Sequence, residues 1–115
     1  MKIETSELTG PALAYAVAQI TPDLMQVGLC FYIRDAESGE RVLFNPAENW
    51  SQAGLIIERE SIQLTPCEDM ESWEAGMMFA QGCEDYTGPT PLIAAMRCFV
   101  SSRLGDEIEL PEELK

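Results

Sequence analysis

The stretch Gly88-Pro89-Thr90-Pro91-Leu92-Ile93-Ala94-Ala95-Met96-Arg97-Cys98-Phe99-Val100-Ser101-Ser102-Arg103-Leu104-Gly105 carries both ends of a helix and its apolar face. Thr90 offers a side-chain oxygen at the cap position. Pro91 has a preset φ and no N–H to lose in the first turn, and Gly105 suits the helix exit. Between them Leu92, Ile93, Met96, Phe99, Val100 and Leu104 recur at helical spacing and cover one broad face, with Arg97 and Ser101 opposite. A face of that width has to be covered by another layer, so the rest of the chain must supply one.

Upstream, Thr9 and Pro11 open a shorter helix to Gln19 in which Leu13, Ala16, Val17 and Ile20 share a face, broken by Thr21-Pro22-Asp23. From Gly28, the β-branched and aromatic run Leu29-Cys30-Phe31-Tyr32-Ile33-Arg34 reads as a strand, the loop residues 35–40 as a turn, and Arg41-Val42-Leu43-Phe44 as the returning strand. Asn45-Pro46 ends that hairpin. A second helix follows, with Trp50, Ala53, Ile57 and Ile62 on one face and Gly54 tolerated inside it. Ile62 to Thr65 alternates like a strand and stops at Pro66; the acidic linker Glu68 to Glu71 then leads to a strand from Trp73 to Ala80, a second hairpin. The expected class is therefore α+β in the order α-ββ-α-ββ-α: a small antiparallel sheet of about four strands, made of two hairpins, packed with about three helices. Residues 1–105 read as one α+β domain, and 106–115, with five acids, as an exposed acidic C-terminal tail.

A chain of 115 residues suffices for one core, and no apolar run approaches the roughly 18 residues of a membrane span. The start Met1-Lys2-Ile3-Glu4 lacks the apolar core of a secretory signal. Cys30, Cys67, Cys83 and Cys98 form no C-x-x-C pair, and with no histidine to complete a zinc site they read as buried free thiols. Twenty Asp and Glu against seven Lys and Arg give a net charge of −13, a shortage of bases that repels phosphate backbones and anionic membranes. Direct nucleic-acid and membrane binding are thereby disfavoured, and a basic, nucleic-acid-binding protein is the partner such charge favours, beside the plainer reading that the acidic surface serves solubility alone.

The blocks Met1-Lys2-Ile3-Glu4-Thr5-Ser6-Glu7-Leu8-Thr9-Gly10, Asn49-Trp50-Ser51-Gln52-Ala53-Gly54-Leu55-Ile56-Ile57-Glu58-Arg59-Glu60, Gly88 to Val100, and Leu104-Gly105-Asp106-Glu107 to Leu110-Pro111 resemble the NinX family of lambdoid bacteriophages. They cover about half the chain in the family's order. The resemblance implies a phage accessory protein, dispensable for basic growth, working in the host bacterial cytoplasm; it names a family and no activity. The chain departs from the family pattern in lacking a longer insert before the Trp50-Ser51-Gln52 block, and in having Ala53 and Leu55 where Gly and Pro are expected.

The absence of histidine removes the commonest general base and the Ser-His and Cys-His nucleophile systems, and no Walker loop or dinucleotide fingerprint is present, so no cofactor is expected. A carboxylate and metal hydrolase through Glu58, Glu60 or Asp85 is the weakest of three readings, because twenty acids make chance pairs abundant. The second reading is a binder of an anionic, nucleotide-like small molecule near Asn49, Trp50, Ser51, Gln52, Arg59, Thr90 and Arg97, where a ring could stack a base and arginine and helix N-termini could take phosphate. The leading reading is a non-enzymatic binder that modulates a host factor, such as a defence system, through an acidic surface of Glu68, Asp69, Glu71, Asp106, Glu107, Glu109, Glu112 and Glu113.

Overall fold

The helix α3 (Pro91–Leu104) lies at the centre of the molecule in the computed structural model, which describes residues 2–35, 37–77 and 85–114. Thr90 Oγ1 accepts the Ile93 N–H at 3.1 Å, the cap its position requires. The two-faced helix expected from the spacing is instead enclosed nearly all round: every residue from Ala94 to Val100 is buried, Arg97 included. The reason is that α1 (Gly10–Gln19), α2 (Trp50–Glu60) and a three-stranded sheet all pack on it, so little of its circumference is left for solvent.

The helix α1 buries Ala12, Leu13, Ala16 and Val17, as its periodicity requires, although Thr9 at the cap position makes no side-chain hydrogen bond. Asn49 caps α2 by accepting the Gln52 N–H at 3.2 Å, and Ser61, in the left-handed region at φ 55°, ends it. The apolar face expected through Trp50 and Ile62 is corrected. Trp50 is 59% exposed and Ile62 begins the next strand, so the inward stripe of α2 is Ala53, Ile56 and Ile57.

Both hairpins form, but they belong to different sheets, so the single sheet of about four strands is replaced by three small antiparallel ones. β2 (Met25–Val27), β3 (Cys30–Arg34) and β4 (Arg41–Leu43) make the first three-stranded sheet, held to α1 through Phe31, whose ring meets Tyr15 edge-on at 5.8 Å. β5 (Ile62–Pro66), β6 (Trp73–Met77) and β7 (Tyr86–Gly88) make the second, which packs on α3. Residues 78–80 of the expected strand lie outside the described residues. Gly88 is obligatory here, since a Cβ would sit 2.8 Å from Ala94 N at the start of α3.

The third sheet joins the two ends of the chain. β1 (Lys2–Glu4) pairs with β8 (Glu107–Glu109) in the register Lys2–Glu109, Ile3–Ile108, Glu4–Glu107. Thr5, fully buried, clamps the join: its N–H donates to Asp106 O and its hydroxyl to Gly105 O, each at 2.7 Å. Ile108 and Leu110 are buried, so this part of the segment expected as an exposed tail is built into the fold, while Asp106, Glu107 and Glu109 face solvent. Among the cysteines Cys98 is buried as expected and Cys67 half-buried, whereas Cys30 faces outward on β3 and is exposed; Cys83 lies outside the described residues.

Candidate functional site

The residues proposed for an anionic ligand are mostly committed to the fold. Gln52 latches the start of α2 to the end of β4, its Nε2 donating to Leu43 O at 2.9 Å and its Oε1 accepting from Asn45 N at 2.6 Å. Asn49 and Thr90 are spent as caps. Arg97 lies inside, with Nε donating to Leu8 O at 2.9 Å and Nη1 to Thr87 O at 2.8 Å. Arg59 pairs with Glu60 at 2.9 Å and lies over the Phe99 ring, 5.7 Å from its centroid. Trp50 and Ser51 stand exposed at the first turn of α2, nine residues and roughly 14 Å of helix from Arg59. The three anchors Trp50, Arg59 and Arg97 thus do not converge on one pocket.

The carboxylates proposed for metal chemistry are also separated in role. Glu60 is clasped between Arg59 and Arg103, the latter at 2.7 Å, while Glu58 is exposed on α2 and Asp85 lies beside β6. Among the described residues no group of three or more His, Cys, Asp or Glu is placed to hold a metal ion.

The acidic list divides into two groups. Glu68, Asp69 and Glu71 occupy the β5–β6 turn, where Asp69 Oδ1 accepts the Glu71 and Ser72 N–H groups at 2.9 and 3.2 Å, and Ser72 Oγ also donates to it. These bonds, the one from Glu71 first, hold the Asp69 carboxyl below its usual range. Asp69 is therefore a turn-builder, with Glu68 and Glu71 exposed beside it. Glu112 and Glu113 are exposed in a short 3-10 turn, Glu112–Leu114.

The second group is a groove of about 430 Å³ lined by Glu4, Ser6, Asp85, Tyr86, Thr87, Asp106 and Glu107. Strand alternation builds it: Ile3 and Ile108 turn inward, which puts Glu4 and Glu107, cross-strand partners of like charge, on the outer side of the β1–β8 ribbon. Lys2 and Glu109 sit one pair further along. Tyr86 donates its hydroxyl to Asp106 Oδ1 at 2.8 Å and fixes that carboxylate at the rim. Asp85 comes close because Gly76 has no Cβ; one there would collide with Asp85 Oδ1. A hydrogen bond to Asp85, and then its charge, push the neighbouring Glu74 carboxyl above its usual range, a sign of crowded negative charge. None of the described residues lining the groove is basic.

Asp106 and Glu107 were legible as acids; Glu4 and Ser6 were not candidates, and Asp85 was one only for a metal. No local signal could have joined them, because Glu4 and Ser6 lie about 100 residues from Asp106 and Glu107 and meet them through the β1–β8 pairing, while Asp85 arrives from the start of β7, beside Tyr86, which bonds Asp106.

A family model described as Bacteriophage P22, NinX matches residues 4–103, which span Glu4 and Asp85 and stop short of Asp106 and Glu107. No curated protein matches the chain. No described helix is long and apolar enough to cross a membrane.

Proposed function

Because the chain belongs to the NinX family of phage proteins, we propose that it is an accessory protein acting by binding, in the host bacterial cytoplasm, and that its groove of Glu4, Asp85, Asp106 and Glu107 docks on the basic surface of a host protein. The observation that carries this reading is the groove itself: four carboxylates around one open depression with no base lining it. Lysine or arginine side chains of a partner would relieve the repulsion between Glu4 and Glu107 and the crowding at Asp85, so association gains more there than at an evenly charged surface. A protein that normally holds nucleic acid presents such side chains, and blocking it would be a means of restraining a host defence factor. Catalysis is not part of the proposal, since the chain has no histidine and Glu60 is already neutralised by Arg59 and Arg103.

The test is capture of host proteins from infected and uninfected lysate by the immobilised chain, with elution in a salt gradient. A stoichiometric host protein released by moderate salt, and not retained by the triple variant Glu4→Gln, Asp85→Asn, Glu107→Gln, is the expected result. Retention unchanged in the triple variant would sink the reading. So would a protein that returns alone with a small molecule lost on changing Trp50 or Arg59.

A further inference from the structure

The loop after β4 sets two polar residues against an apolar cavity. Phe44 N–H donates to Phe31 O at 2.8 Å, which draws the end of β4 against β3, and Pro46 then turns the chain so that Glu48 N–H reaches Asn45 O at 3.1 Å. That turn brings the two side chains together, Asn45 Nδ2 donating to Glu48 Oε2 at 2.9 Å. Both residues line a cavity of about 220 Å³ between the first turns of α1 and the β3–β4 pair, with Ala14, Tyr15, Phe31 and Phe44 among its walls.

Two features of this cavity point to an occupant. The first is Asn45 Oδ1, which is buried with no hydrogen-bond partner; no other buried side-chain oxygen or nitrogen among the described residues is left so. Turning the amide round does not cure this, because Oδ1 would then face the Glu48 carboxylate. A buried carbonyl without a donor is a standing cost to the fold. A water molecule would supply a donor and leave the apolar walls wet, whereas a ring bearing an N–H group supplies the donor and covers the walls. The second feature is charge. Glu48 is the one charged residue among the described residues lining the cavity, and a bond from a neutral amide leaves its charge uncancelled. Among the described residues it is in no ion pair. The Tyr15 and Phe31 rings, 5.8 Å apart and 70° to each other, stand beside it as two walls of a corner, and aromatic rings with a carboxylate are surroundings that hold an organic cation.

We propose that this cavity binds a small organic cation: a single apolar ring, inserted between α1 and the β3–β4 pair, carrying an ammonium or amidinium group whose N–H groups meet Asn45 Oδ1 and the Glu48 carboxylate. The volume suits one ring, since a cavity of roughly 150 Å³ takes benzene and the charged substituent fills the remainder. Anions are refused by Glu48 and by the net charge of −13. The site shares no residue with the carboxylate groove and does not depend on it.

The probe is benzylammonium, titrated into the isotope-labelled full chain and followed by NMR. The expected result is a saturable shift confined to the cavity walls and the Asn45 side-chain amide, with a Kd of about 1 mM or below, which is within reach of so small a ligand. Benzyl alcohol, of similar shape without the charge, should bind about threefold more weakly, and benzoate about tenfold or more. Glu48→Gln should weaken benzylammonium by about threefold and leave benzyl alcohol unchanged, a split that a mere change of shape would not give. Ala14→Leu, which fills the cavity, should abolish binding of both, with circular dichroism and melting showing that the variant has folded. The absence of a saturable shift, benzoate binding as tightly as benzylammonium, or an affinity for benzylammonium unchanged by either substitution would each overturn the proposal.

Discussion

Arg97 joins three parts of the molecule, reaching from α3 to the carbonyls of Leu8, ahead of α1, and of Thr87 in β7. Burial pushes its pKa down from the usual arginine value, yet it remains a cation that donates to two neutral acceptors. Its helical position opposite the Leu92 to Leu104 stripe suggested exposure, and only its neighbours reverse that. Replacing Arg97 with Met would strand both carbonyls in the interior; the expected loss of unfolding free energy is about 2–4 kcal/mol, read from the denaturant midpoint, with Arg97→Lys recovering part of it. Two carboxyls should titrate on opposite sides of their ordinary values, as NMR of the side-chain carbons would show. Glu74, raised by Asp85 from 4.5, favours folding when protonated: its contribution is present below that value and lost as pH rises through the raised one. Asp69, lowered from 3.8 chiefly by the Glu71 N–H, contributes above that value and loses its contribution as pH falls through the lowered one. Asp85→Asn should bring Glu74 down to its usual range or below while leaving Asp69 unmoved.

At the scale of elements, legibility followed length and punctuation. The helix α3 was readable at both ends because Thr90, Pro91 and Gly105 are each suited by a distinct backbone requirement, and the two hairpins because β3 and β5 are long enough to show β-branched or alternating character. β1, β2, β7 and β8 are three residues each, too short for a period of two to be visible, and each exists because a partner strand satisfies its backbone. β8 is the sharpest case, since five acids in ten residues signal a solvated tail while Ile108 and Leu110 are the part that packs. Ile108→Ala should therefore lower the stability by about 2–4 kcal/mol in thermal or chemical unfolding, where a residue in a loose tail would cost almost nothing. Asp106 and Glu107 could be nominated for a binding surface from charge alone, but that Glu4 and Asp85 share it depended on these short strands.

For the whole molecule, −13 of net charge on 115 residues sets a self-repulsion that favours expansion. The exposed pairs of Arg59 and Arg103 with Glu60 offset little of it. Adding salt from a low starting ionic strength should raise the melting temperature by screening that repulsion, and a fall in calorimetry would show that local ion pairs outweigh the net charge. The acidic balance, the missing histidine, the three helices and two hairpins, and the family itself were all determined by the sequence alone, because composition, periodicity, capping residues and block order are properties of neighbours along the chain. The division into three sheets, the burial of Arg97, the pairing of the two chain ends and the carboxylate groove it creates were decided only by the tertiary structure. They depend on which distant segments satisfy each other's backbone and apolar faces, and no local pattern encodes that.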